Sequence, residues 1–186
     1  MEILTLIIIA FGLSFDTFAV SVSNGLILKK ITFSEATRIA IVFAVFQALM
    51  PVLGWLIGLN FKDLIQDYDH WVAFIILGLL GIKMIMESFK KEEDKAPLNP
   101  LSSKVMVSMA IATSIDALVV GFSFALLNFQ IILSTILIGS ITYIVAMLGM
   151  LFGKKIGERA GKRMEIIGGL MLIAIGSKIL FEHLVG

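Results

Sequence analysis

ILTLIIIAFGLSFDTFAVSVSNGLIL, residues 3–28, carries a single charge, Asp16, near its middle. All other side chains in it are apolar, absent, or neutral hydroxyls and amides. At about 1.5 Å per helical residue, about 20 such residues cross the roughly 30 Å hydrocarbon layer of a membrane. Working outward, the same reading predicts spans at 36–58, 70–88, 104–127, 131–152 and 165–184. The chain is thus expected to be an all-α integral membrane protein with six transmembrane helices.

Composition agrees. Apolar and aromatic residues make up 59% of the chain and only 16% are charged, in clusters between the apolar runs, which excludes a soluble globular domain and a disordered chain. No segment alternates apolar and polar residues as an outer-membrane barrel strand would. Without cysteine there is no disulfide framework, thiolate metal site or thiol redox chemistry. A net charge of +1 gives no reason to expect a nucleic-acid partner. The first span has no basic leader or small-residue cleavage site before Asp16 and is expected not to be a removed signal peptide.

Basic residues orient the spans, because Lys and Arg stay on the cytoplasmic side. Lys29, Lys30 and Arg38 follow span 1; Lys90, Lys91, Lys95 and Lys104 follow span 3; Lys154, Lys155, Arg159, Lys162 and Arg163 follow span 5. The opposite side has Lys62 alone, while Lys83 and Lys178 lie within spans. Both termini are therefore predicted outside. The polar, proline-punctuated stretch Lys90–Pro100 divides the chain. This gives a first three-helix unit at 1–89, a cytoplasmic linker at 90–103 and a second unit at 104–186.

The units repeat. Ser14-Phe15-Asp16 matches Ser114-Ile115-Asp116 at an offset of 100, with Ser23 on Ser123. Gly54, Gly58, Gly81, Lys83 and Glu87 match Gly149, Gly153, Gly176, Lys178 and Glu182 at an offset of 95. An odd number of spans per unit forces the second to enter from the opposite side, an inverted repeat of the kind that places transporter sites at the midplane.

Asp16 and Asp116 each fall about 18–20 Å into their helices. A charge there costs about 2.5–3.5 kcal/mol on insertion scales, so an intramembrane acid is read as functional. Two at matched positions outweigh the alternative of protonated packing residues. Helical spacing groups Gly12, Asp16, Ala19 and Ser23 on one face, and Ala112, Asp116, Val119 and Ser123 on another, with Asn24 and Thr113 adjoining. Small residues there also serve close packing, and serines can bond their own backbone. Gln47 and Thr142, matched at the 95 offset and at the same depth, are candidate lining residues; Pro51 is expected to bend span 2. Lys83–Glu87 and Lys178–Glu182 are i,i+4 pairs whose lysines either snorkel or neutralise the aspartates.

Two ionised carboxylates match one divalent cation. Carboxylate, amide and hydroxyl oxygens suit Mg²⁺, Ca²⁺ or Mn²⁺, whereas His70 and His183 lie at helix ends and the ten methionines are scattered. An empty ionised pair is unstable in lipid, so proton uptake is expected when metal leaves, making transport a cation/proton exchange.

Ser14–Ser21, Asp69-His70-Trp71-Val72-Ala73-Phe74, Ala110–Ala117, Gly54-Trp55 and the glycine-rich start of span 6 resemble the MntP family of bacterial manganese efflux pumps. The resemblance covers nearly the whole chain. It implies a relative of the lysine-exporter group, with a 3 + 3 helix plan in the bacterial inner membrane, that exports Mn²⁺ and needs both aspartates. Gln47 departs from members that carry Glu there and would leave this chain one charge fewer. The candidate metal-site set is Asp16 and Asp116, which the resemblance also implies, with Asn24, Ser23, Ser123, Gln47, Thr113 and Thr142 added from their helical face or depth. Mn²⁺ is then substrate, with no cofactor expected, and the partners are protons and the lipid bilayer. Export of a small cationic metabolite such as an amino acid is the nearest rival. An intramembrane aspartyl hydrolase would show Gly-x-Gly-Asp, absent at both acids, so an enzyme is not expected; a purely structural subunit gives no reason for duplicated acids.

Overall fold

The computed structural model describes residues 3–28, 31–65, 69–89, 99–127, 129–156 and 158–185. The described residues form α1 (Ile3–Ile27), α2 (Phe33–Ile65), α3 (Asp69–Ser88), α4 (Ser103–Thr113), α5 (Ile115–Leu126), α6 (Ile131–Ile156) and α7 (Glu158–Val185). Residues 90–98 of the expected linker lie outside the description, as do the side chains of His70, Glu87, Glu182 and His183. Stretches 3–27, 33–61, 103–126 and 131–153 are long and apolar enough to cross a membrane, and α3 and α7 carry shorter apolar stretches at 71–86 and 166–181. The outer faces are apolar: Ile132, Leu79 and Ile136 are 75%, 63% and 60% exposed. That pattern suits lipid rather than water as the solvent.

Packing partners fix relative directions. Gly149 and Gly153 of α6 meet Phe18 and Val22 of α1 in ascending order, so α1 and α6 run the same way. Gly54 and Gly58 of α2 likewise meet Leu118 and Phe122 of α5. A Cβ on Gly54 would collide with the Leu118 backbone, so the missing side chain is what lets these helices touch. Opposed pairs join the rest. Thr37 reaches Met147 while Ala44 and Ala48 face Gly139 (α2 against α6), and Gly81 meets Gly169 while Phe74 and Leu77 meet Gly176 (α3 against α7).

Two apolar cores result. One gathers Leu6, Ile9, Leu13, Leu77, Val120, Phe124, Ile138 and Leu172; the other gathers Ala36, Ile39, Phe43, Met106, Ala110, Ala146 and Met150. The second lies where α1 and α6 end and α2 and α4 begin, and there Arg38 donates to Ser103 Oγ at 3.3 Å. Thr32 and Glu35 cap α2 reciprocally: Glu35 Oε2 accepts from the Thr32 N–H at 2.8 Å, and the Glu35 N–H bonds to Thr32 Oγ1 at 3.3 Å.

The expected single helix over 104–127 is corrected. It breaks at Ser114, with φ −114° and ψ 6°, where the Ser114 N–H bonds to the Ile111 carbonyl three residues back. That tightened turn shifts the register, so Ala112 is exposed while Asp116 is buried, and Ala112 does not share the acid's face. Pro51, expected to bend span 2, lies inside α2, packed on Gly121.

Candidate metal site

Along α1, α2, α6 and the broken α4–α5 pair, the chain changes core at a polar layer. On α1, Ser14, Asp16 and Thr17 lie between Leu13 of the first core and Val20 beside the second. On α2, Gln47 lies between Phe46 and Met50; on α6, Thr142 lies between Ile141 and Tyr143. Thr113, Ser114 and Asp116 lie between Ala110 and Ala117. Asp16 and Asp116 each stand 13 residues from the start of their apolar stretches at Ile3 and Ser103, about 20 Å along the axis.

Asp116 is buried and Asp16 half-buried, and their carboxyl groups are near enough to repel when both are charged. Asp16 Oδ1 accepts the Thr17 N–H at 2.9 Å, and Asp116 Oδ1 the Ala117 N–H at 2.7 Å. The break at Ser114 makes Asp116 a first-turn residue of α5, where free N–H groups favour an anion.

The central helices brace the turn before Asp16. Gln47 Nε2 donates to the Leu13 carbonyl at 3.0 Å, and Thr142 Oγ1 lies 3.1 Å from Ser14 Oγ. Ser14 and Ser114 make matching bonds, each hydroxyl donating at 2.6 Å to the carbonyl four residues back, on Ala10 and Ala110. Because the Gln47 amide nitrogen must face Leu13, its Oε1 faces away, buried and without a partner. Polar oxygens of α1, α2 and α6 thus lie in one layer between the two cores, as does Asp116. Among the described residues no three His, Cys, Asp or Glu side chains cluster, so the layer offers two carboxylates and neutral oxygens.

Of the residues expected at the site, the layer brings together Asp16, Asp116, Gln47 and Thr142. Thr113 borders it but donates to Met109 and Ala110 carbonyls of its own helix at 3.0 and 3.3 Å. Ser123 reaches only the Val119 carbonyl, at 3.5 Å. Ser23 and Asn24 follow Asp16 by seven and eight residues on unbroken α1, about 10–12 Å away. Ser14 and Thr17 were missed as candidates. The Ser14/Ser114 repeat match was the available signal for the first; nothing in the sequence marks the second.

A helical bundle with apolar side chains outward and helices long enough to cross a membrane is a membrane protein in class. Comparison with known proteins narrows the class: residues 30–180 match the Mntp family model, described as "Putative manganese efflux pump". Similar proteins bear that name with the suffix MntP: one from Crocosphaera subtropica, 46% identical over 100% of this chain and 98% of its own length, and one from Bacteroides thetaiotaomicron, 48% identical over 95% of each. A Clostridium botulinum protein, MntP 2, is 46% identical over 98% of this chain and 96% of its own. The chain belongs to this manganese efflux pump family. No solved structure matches it.

Proposed function

We propose that the chain is a six-span secondary transporter, two inverted three-helix repeats in the bacterial cytoplasmic membrane with both termini outside, that exports Mn²⁺ in exchange for protons. The observation that carries this reading is the polar layer: two mutually repelling carboxylates, with serine, threonine and glutamine oxygens, between two apolar cores. Its charge of −2 balances one divalent cation, and its oxygens match the preference of Mn²⁺. Its relatives' names supply the metal and the direction.

The packing supports the inverted repeat. Gly54 on Leu118 and Gly149 on Phe18 are one contact made twice at the 95 and 100 offsets. In the exchange, the Mn²⁺ charge cancels the repulsion between Asp16 and Asp116; when the ion leaves outward, protons replace it. Gln47 Oε1 and the Ser14–Thr142 pair complete the ligand set.

Purified protein in liposomes with Mn²⁺ on one side and a pH dye on the other tests the exchange. Mn²⁺ flux is expected to move protons oppositely and to stop in Asp16→Asn and Asp116→Asn, with lysine and other cationic amino acids failing to compete. Wild-type flux in both variants would overturn the site, and flux without proton movement would overturn the exchange.

A further inference from the structure

Thr17, Ser21 and Asn24 follow Ser14 on α1 at steps of three, four and three, so the four side chains share one helical face. Thr17 and Ser21 are fully buried and Asn24 is 2% exposed. Thr17 Oγ1, Ser21 Oγ and Asn24 Nδ2 have no hydrogen-bond partner. Serine and threonine in membrane helices ordinarily return the hydroxyl to their own backbone, as Ser14, Thr113 and Ser114 do here. Thr17 and Ser21 do not. A buried group left without a partner costs about 1–3 kcal/mol, so three in succession need a role that close packing does not supply.

The row has a direction. It begins beside Asp16 and ends at Asn24, about 10 Å on, toward the end of the molecule where Arg38 and Lys104 flank the second core. The positions 100 residues later are Ala117, Gly121 and Phe124, with Ala117 and Phe124 in the first core. Among the described residues the unpartnered polar groups therefore lead away from the acids on one side only, Ser123 and Ser134 on the other being bonded to carbonyls of their own helices. On the other side, Leu13, Ala117, Val120 and Phe124 close the layer with apolar side chains. Over the polar row lies α6, held close by Gly149 against Ser21 and Gly153 against Val22. Those glycine contacts carry no interdigitating side chains, so a small separation of α6 from α1 exposes the row.

We infer that Thr17, Ser21 and Asn24 line the path along which a hydrated divalent cation reaches the aspartates from the cytoplasmic end. Water and the ion's hydration shell satisfy the three groups when the path is open, and α6 seals them in the form described. The inference rests on the orientation and substrate of the proposed function, and gives Asn24 a place on the route instead of in the ligand set.

Because the chain has no cysteine, single thiols can be placed without a background. Ser21→Cys and Asn24→Cys are compared with Ala117→Cys and Phe124→Cys, and with the exposed Ser34→Cys as reporter of sidedness, in inverted and right-side-out vesicles treated with a small charged methanethiosulfonate. Ser21→Cys and Asn24→Cys are expected to react from the face where Ser34→Cys reacts, and more slowly with Mn²⁺ present, while Ala117→Cys and Phe124→Cys stay unmodified. Silent Ser21 and Asn24 variants beside a reactive Ser34 variant would overturn the path, as would equal reaction at all four buried positions. Reaction of Ser34→Cys from the outer face alone would defeat the orientation instead, and Ser21→Cys reacting from that same face would still support the path. Asn24→Leu gives a reading independent of thiol placement: transport slowed about tenfold with equilibrium Mn²⁺ binding unchanged. Unaltered transport in Asn24→Leu would also overturn the proposal.

Discussion

Ser14 and Thr142 place their hydroxyl oxygens 3.1 Å apart across 128 positions of sequence, fastening α6 to the turn of α1 that precedes Asp16. Interhelical hydrogen bonds in membranes average about 0.6 kcal/mol. A double-mutant cycle of Ser14→Ala and Thr142→Val is expected to give a coupling of about that size in unfolding measurements. Additive effects would mean that the hydroxyls do not interact.

Gln47 stabilises through one amide atom and is strained for lack of a partner at the other. Gln47→Leu removes the bond to Leu13 together with the orphaned oxygen, so stability should change by less than about 1 kcal/mol. Mn²⁺ affinity should fall, because a ligand oxygen is lost. Thermal unfolding with and without Mn²⁺ separates the two effects: the metal-free Tm holds and the metal-induced rise shrinks.

Restoring a carboxylate works in the other direction. Gln47→Glu places a third acid beside two that already repel, so the empty protein should lose stability as pH rises and the acids ionise, while Mn²⁺ binding tightens above neutrality. Unfolding midpoints from pH 5 to 8, with and without Mn²⁺, check both signs.

Glycines at the helix crossings separate packing from site effects. Gly54→Ala drives a methyl into the Leu118 backbone and should cost about 1–3 kcal/mol or more. Gly78→Ala meets nothing within 4 Å and should be neutral or stabilising by up to about 1 kcal/mol. Equal effects in detergent melts would contradict the close approach of α2 and α5.

What could be read from residues alone follows from cost. An acid in an apolar helix is expensive, so Asp16 and Asp116 stand out, and matched Asp, Lys and Glu positions carry the proposed duplication where leucines cannot. Four of the six expected spans were recoverable from apolar length, while α3 and α7 carry shorter apolar stretches; α2 runs on to Ile65 and α7 starts at Glu158, because a helix satisfies its own backbone beyond its apolar stretch. The break at Ser114 was illegible: no glycine or proline marks Ala112-Thr113-Ser114-Ile115. Thr113 and Ser123 show why hydroxyls are weak signals, since both turn to backbone carbonyls of their own span. Gln47 and Thr142 became meaningful only when folding brought them to Leu13 and Ser14.

Titration of the purified protein with Mn²⁺, followed by loss of the free-ion electron paramagnetic resonance signal, tests the two-aspartate site most directly. One ion per wild-type chain is predicted, with affinity at least about tenfold weaker in Asp16→Asn and in Asp116→Asn and no tight binding in the double variant. A double variant that binds one ion as tightly as wild type would contradict the account.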